Sequence, residues 1–455
     1  MKSTTLFTVR RNGATVFRTL QRSHHAVIRY SSTEVDPPSE TSSLETDSPL
    51  EQPSLQTTLH AELTSRPINT STDYISPIPW NLLNISLSDF LPPSCQSRNF
   101  KPTEAEDSTD PAANPSFAKT PIPQGHHLVY FPPPVPDRSL LPDGTDSLHS
   151  PGAPFIKRLW GGGSLVFNQE ERLQLVPNRL AVCGEEITDV KVKGVEGQEK
   201  VFVTVTRRIA SLAAGVFRTG NASTRRRRKD ALLNMDKKQL AKRYGTEGLK
   251  PWAVVEERNL VFMREKSREE AKEDLQKVGR VVKPIHTPDF SVSLTPNAAL
   301  LFRFSALSFN AHRIHLDPQY TREVEGHRHL LVHGPLTLVL MLSVLRSQIT
   351  EAKMVLRFDY RNLAPLYVDE QMTICVRRDP EREDKLDIWA EGRDGGLAVK
   401  GSAVIGDVEL DRQSSIKRKP KFKHLDLGGK LPYRQTSLSH RAGNSINNND
   451  RIKAR

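Results

Sequence analysis

Phe304-Ser-Ala-Leu-Ser-Phe-Asn310-Ala-His312-Arg-Ile-His315-Leu-Asp317-Pro318 is followed, after a polar interval, by Val332-His333-Gly334-Pro335 and the run Leu336-Thr-Leu-Val-Leu-Met-Leu-Ser-Val-Leu345. Gly-Pro ahead of an apolar run announces a helix N-terminus. The run is too short to cross a bilayer and has the length of a buried helix, predicted over 336–346. Strand candidates follow at 354–360, 370–377, 386–391 and 397–405. A buried helix followed by antiparallel strands that can wrap around it describes an α+β domain. The polar segment in front of that helix is dense in protonatable groups. Proton transfer beside a carbonyl needs this combination: helix N–H groups hold a developing negative charge while a histidine moves the proton.

Outward from this segment, the composition thins. Of 455 residues only 36% are apolar and 32 are proline, with the deficit concentrated at the two ends. Residues 1–33 carry six Lys/Arg and no acid, and residues 411–455 carry a net +9. Removing both from the formal +12 leaves the body, 34–410, at −3. A nucleic-acid-binding fold would keep its basic patch on the fold itself, so no nucleic-acid partner is expected. Cys95, Cys183 and Cys375 have no metal-ligand spacing and no even-numbered framework, which points to a reducing compartment. No apolar run approaches transmembrane length.

The first 33 residues intersperse Leu6, Val9, Val16, Phe17, Leu20 and Val27 among arginines, the composition of a mitochondrial transit peptide. Residues 34–73, rich in Ser, Thr, Pro and Glu, read as a disordered linker. An N-terminal domain is expected over 74–275, with a short strand at 127–131. Further strands are expected at 164–167, 185–193, 200–206 and 259–263, and a basic insertion at 218–250 around Arg225-Arg-Arg-Arg-Lys229. The C-terminal domain spans 286–410, and 411–455 is a basic disordered tail. The two halves share no repeat visible in the sequence.

His-x-x-His on a loop permits zinc, with His333 as a further ligand, but no Cys or carboxylate set completes such a site. A purely structural role for these histidines is the plainer alternative. No Gly-x-Ser-x-Gly context supports a serine nucleophile. Gly161-Gly-Gly163 precedes a strand rather than a helix, so it is no phosphate loop.

Asn310-Ala-His312-Arg-Ile-His315, followed by Val332-His333-Gly334, resembles the signature of the MaoC-like hydratases and dehydratases of enoyl thioesters. Further blocks lie in order along the chain: His127-Leu-Val-Tyr-Phe131, Pro142-Asp-Gly-Thr-Asp146, Lys157-Arg-Leu-Trp-Gly-Gly-Gly163, Val255-Glu-Glu-Arg-Asn-Leu-Val-Phe262 and Phe358-Asp-Tyr-Arg-Asn-Leu-Ala-Pro365. With the histidine segment they resemble one branch of that family, the fungal mitochondrial hydroxyacyl-thioester dehydratases of type 2 and the related mesaconyl-CoA hydratases.

The resemblance implies a double hot-dog, two curled antiparallel sheets each around a helix, with a degenerate N-terminal half and the catalytic residues in the C-terminal half. It puts His315 on the family's catalytic histidine and Gly334 on the glycine whose N–H binds the thioester oxygen. The family's catalytic Asp falls on Asn310, which cannot take up a proton, and its Asn falls on His312. The acid/base role therefore passes to His312, or Asn310 holds the water. Asp317 and His333 are expected to be structural. Helix 336–345 would wall an acyl tunnel as well as pack the core. The implied reaction is loss of water from a (3R)-3-hydroxyacyl thioester in matrix type II fatty-acid synthesis, carried by acyl carrier protein or CoA, without metal or redox cofactor. A homo-oligomer is compatible with it. The alternatives are a short CoA ester of the mesaconyl type, and a non-catalytic protein that binds acyl chains or attends RNA machinery.

Overall fold

The computed structural model describes residues 54–97, 100, 120–175, 180–211, 252–277 and 281–408. The expected transit peptide, basic insertion and basic tail lie outside the described residues. In chain order the elements are α1 (Leu55–Thr64), β1 (Asn69–Tyr74), α2 (Pro77–Leu87), β2 (Thr120–Pro121), β3 (Lys157–Phe167), β4 (Gln174–Leu175), β5 (Leu180–Lys193), β6 (Lys200–Ser211) and β7 (Val254–Met263). Then come α3 (Arg268–Gln276), β8 (Phe290–Leu294), α4 (Ala298–Ser308), α5 (Pro318–Glu323), α6 (Gly334–Ser347), β9 (Lys353–Asn362), β10 (Met372–Arg378), β11 (Lys385–Glu391) and β12 (Leu397–Asp407).

Ten strands form one antiparallel sheet in the order β1-β5-β6-β7-β3-β9-β12-β11-β10-β8. Numbering each half's strands from its own first strand gives 1-3-4-5-2 on both sides, mirrored about the β3–β9 pair. The topology thus carries a duplication that the residues no longer display, and the architecture is a double hot-dog. The halves differ in their filling. Between β8 and β9 runs the 14-residue helix α6, whose residues from Leu336 to Leu345 are all buried. A helix apolar on every side has to be enclosed, and β8–β12 curl around this one. Between β1 and β3, among the described residues, the longest helix is α2, and a 3-10 turn at His126–Val129 packs against α2, α4 and α6.

Two expectations need correction. The disordered linker expected over 34–73 instead holds α1 and all of β1 but its last residue, Tyr74. Ser54 caps α1 by accepting the Thr57 N–H at 3.2 Å, and Leu59 and Leu63 bury one face of the helix with Phe155, Ile187 and Val203. Two well-spaced leucines anchor a segment whose Ser/Thr-rich composition hides them. The expected strand at 127–131 is instead that 3-10 turn. Gly125 and Phe131 both take positive φ, and Pro132 follows, so the run is buried without joining the sheet.

The seam between the halves pairs Gly162 with Arg361 through Val166 with Arg357. On its other edge β3 pairs with β7, with a bulge between Trp160 and Gly162. A Cβ at Gly162 would stand 2.4 Å from the Tyr360 carbonyl oxygen, and one at Gly163 1.9 Å from that of Glu257, so the strands approach as closely as only glycine permits. Gly163→Ala should lower stability by roughly 2–3 kcal/mol through overpacking and backbone strain. Gly184→Ala, where a Cβ meets only the Ile68 side chain at 3.6 Å, should cost less than about 1 kcal/mol. Denaturant unfolding of the two variants beside the parent checks this.

Candidate active site

Capping and turn chemistry build the histidine loop. Helix α4 ends at Phe309 in the left-handed conformation, and the Asn310 N–H returns to the Ser305 carbonyl at 2.9 Å. The Asn310 side-chain oxygen then accepts the His312 N–H at 3.1 Å. Asn310 therefore spends one lone pair on the backbone turn, which fixes the side chain and leaves both amide hydrogens free to donate. Residues Arg313–His315 form one 3-10 turn. Asp317 caps α5 by accepting the Tyr320 N–H at 2.9 Å and pairs with Arg313 at 2.7 Å. It is a structural cap and does not line the cavity that the histidines share.

His315 is the best-defined member of the site. Its Nδ1 lies 2.8 Å from the Leu331 carbonyl oxygen. A carbonyl can only accept, so Nδ1 carries the proton and Nε2 is left as a bare lone pair. Burial lowers the His315 pKa to about 4, partly offset by the Leu331 bond and reinforced by the Arg158 charge. Near neutral pH the ring is an uncharged base. His312, buried and edge-on to His315 at 5.4 Å between centroids, is held well below the ordinary histidine range by burial, then by the charges of His315 and Arg158.

His333 caps α6 and stacks on His315, with centroids 3.6 Å apart and 22° between planes. Its Nε2 hydrogen-bonds with the Ser305 hydroxyl at 2.8 Å. Stacked rings cannot aim their nitrogens at one ion. Among the described residues no group of three or more His, Cys, Asp or Glu is arranged to hold a metal. His333 supports the reactive ring from behind.

Asn310, His312, His315, Gly334 and Pro335 all line one cavity of about 470 Å³. Gly334 is the first residue of α6, so its N–H has no intrahelical acceptor and points along the positive end of the helix dipole. An added Cβ there would meet Asn362 Nδ2 at 3.2 Å and Trp160 Cβ at 3.3 Å, so the helix start is packed directly against the seam. A second cavity of about 420 Å³ shares Asn310, Pro335, Trp160 and Arg158 with the first, and has Leu128, Tyr130, Phe302, Phe304 and Phe309 in its wall. Of helix residues 336–345, Thr337 lines the first cavity, the apolar ones belong to the core and Ser343 is buried.

Several cavity residues come from the N-terminal half and escaped sequence reading. Arg158 pairs with Asp146 at 3.0 Å. Fully buried Glu256 takes Arg207 at 3.0 Å and Arg258 at 2.7 Å, and Arg207 also reaches Glu185 at 2.9 Å, which His149 approaches at 3.0 Å. Burial alone would raise the Glu256 pKa, but Arg258, His127 and Arg207 hold it well below the carboxylate range. The available signal was charge at inward strand positions: Arg207 on β6 stands directly opposite Glu256 on β7.

A double hot-dog with a buried neutral histidine and a helix N-terminus in one cavity is the arrangement of a MaoC-like hydro-lyase. The sequence pattern of the hydroxyacyl-thioester dehydratase type 2 family matches residues 125–247 and 212–368, more than half of the chain, and the protein belongs to that family. It is 26% identical over 299 residues to a mesaconyl-C(4)-CoA hydratase of Chloroflexus aurantiacus, covering 65% of this chain and 88% of that one. It is also 26% identical over 310 residues to the mitochondrial hydroxyacyl-thioester dehydratase type 2 of Schizosaccharomyces pombe, covering 67% and 88%. Among solved structures, a MaoC-like dehydratase from Phytophthora capsici is 14% identical with a TM-score of 0.44, over 76% of this chain and 98% of that one.

The lowered histidine values make stability depend on pH. In the unfolded chain the imidazoles titrate near 6.5, whereas folded His315 titrates near 4 and His312 and His333 below their ordinary range. Between those limits the unfolded state binds more protons. Stability should be complete above about pH 6.5 and fall as pH drops toward about 4. Unfolding free energies measured at intervals across that window should slope upward with pH, and His333→Gln should flatten the slope.

Proposed function

We propose that the protein catalyses reversible loss of water from (3R)-3-hydroxyacyl thioesters, giving trans-2-enoyl thioesters, within type II fatty-acid synthesis of the mitochondrial matrix. The observation that carries this reading is the state of His315: Nδ1–H locked to the Leu331 carbonyl, Nε2 bare, in one cavity with the Gly334 N–H. The C2 proton of a thioester becomes acidic only when charge on the carbonyl oxygen is stabilised. The Gly334 N–H and the α6 dipole supply that stabilisation. His315 Nε2 takes the C2 proton, the C3–O bond breaks, and the hydroxide leaves as water with that same proton, returned from the His315 imidazolium directly or relayed through a transiently cationic His312. Hydration runs the same steps backwards. Asn310, with its oxygen engaged by the turn, donates its amide hydrogens to the departing or attacking water. The aromatic second cavity suits the acyl chain, and the acyl carrier protein or CoA delivers it; no further cofactor enters these steps. The mitochondrial naming of the fungal relative and the leader composition support the location.

The polar and charged side chains in the wall of the first cavity, Asn69, Ser71, Arg158 and Lys200 among them, favour a second reading, a short CoA ester of the mesaconyl type. Crotonyl thioesters on acyl carrier protein and on CoA, offered to the purified chain with and without residues 1–33, separate the two by their kcat/KM ratio. His315→Ala should lower kcat by roughly 10²-fold or more, the scale of a lost general base. Full activity in both His315→Ala and His312→Ala would remove the site from consideration. Inactivity of the parent on every thioester would leave a non-catalytic acyl-binding protein.

A further inference from the structure

The carboxylate absent from the histidine loop has a counterpart in the other half of the molecule. Asp143 sits on the turn that follows Leu141, closed by the Leu141 N–H to the Thr145 carbonyl at 2.7 Å and by the Gly144 N–H to the Leu141 carbonyl at 2.8 Å. Its Oδ1 accepts the Thr145 N–H at 2.8 Å and the Thr145 hydroxyl at 2.7 Å, which fixes the rotation of the carboxyl group. The remaining oxygen, Oδ2, is buried without a hydrogen-bond partner and lies 3.5 Å from His312 Nε2. Backbone contacts set this approach. The Arg313 N–H donates to the Asp143 carbonyl at 2.8 Å, and Gly144, at φ +84°, lies so close that a Cβ would stand 2.1 Å from the Ala311 carbonyl oxygen.

We propose that Asp143 is a positioning residue for the reaction, acting through His312 in place of the carboxylate that position 310 lacks. This rests on the hydration/dehydration reading of the cavity. A buried carboxylate oxygen with no other donor holds the His312 proton on Nε2 and so fixes which ring edge the cavity receives. At 3.5 Å the contact is long for the resting state; it tightens when His312 becomes cationic during turnover, as charge-assisted hydrogen bonds are shorter and stronger. Arg158, paired with Asp146 nearby, opposes that cation in the free enzyme, so the carboxylate matters most when the proton is in transit. Burial keeps the Asp143 pKa above the usual carboxylate range, against the pull of Thr145 and Arg158, which makes it a stronger acceptor.

The test compares the full chain with Asp143→Asn, Thr145→Val, His312→Gln and the Asp143→Asn/His312→Gln double variant. Asn keeps an oxygen for Thr145 but turns a donor toward His312, and Thr145→Val frees the carboxyl to rotate should Asp143→Asn fold poorly. Nitrogen-15 spectra should report the Nε2–H form of His312 in the parent and its loss in Asp143→Asn. On crotonyl thioesters, kcat should fall about 10- to 100-fold in Asp143→Asn with KM nearly unchanged, the scale of a lost histidine-orienting partner. Thr145→Val should fall part of the way. In the His312→Gln background, Asp143→Asn should cost nothing more. An unchanged His312 tautomer, a parental kcat in Asp143→Asn, or losses that multiply in the double variant would each overturn the proposal. A parent that hydrates no thioester overturns the functional reading instead, and the tautomer comparison still decides whether Asp143 governs His312.

Discussion

Everything at the reactive end of this molecule depends on the close pairing of β3 with β9. Two five-stranded sheets of identical strand order meet there, and the approach requires glycine at 162. Beside it, the Trp160 carbonyl accepts from Asn362 Nδ2 at 2.8 Å and its indole N–H donates to the Tyr360 hydroxyl at 2.8 Å. That side chain abuts the first residue of α6. The same strand carries Arg158 into a cavity whose histidines belong to the opposite half. Without the seam, the helix start and the charges around it would belong to separate surfaces.

Placing Arg207, Arg258 and Glu256 inside a sheet carries a desolvation cost that mutual pairing offsets only in part, so their contribution to stability is small at best. The protonation state of the site is set elsewhere: burial and the fixed positive charge of Arg158 both disfavour protonation of His312 and His315. A histidine that stays neutral in acid is a weaker base but an available one over a wide pH range.

The C-terminal half was legible because its signals are periodic and local. The apolar run after Gly334-Pro335 became α6, and the four strand candidates after it became β9 to β12 within a residue or two at most ends. The histidine loop was legible as chemistry because Asn310, His312 and His315 crowd into one turn. The rest was hidden for identifiable reasons. Helix α1 rests on two leucines in a Ser/Thr-rich stretch. The run from His126 to Phe131 is apolar enough for a strand but winds because of its φ values. Asp143 contributes across the seam, more than a hundred positions from the loop it serves. No window along the sequence contains both partners.

The unequal filling of the two halves has a consequence for the order in which the chain is made. The half whose described residues hold no long central helix leaves the ribosome first, with β3 presenting glycine-rich backbone as an open edge. Its partner β9 arrives only after α6 has been synthesised. Domains generally fold as units during synthesis, N-terminal first, but here the earlier half must wait, edge exposed, for the later one to close the sheet. An unpaired edge is a template for wrong pairing, so the seam that assembles the cavity is also the last part of the sheet to be protected.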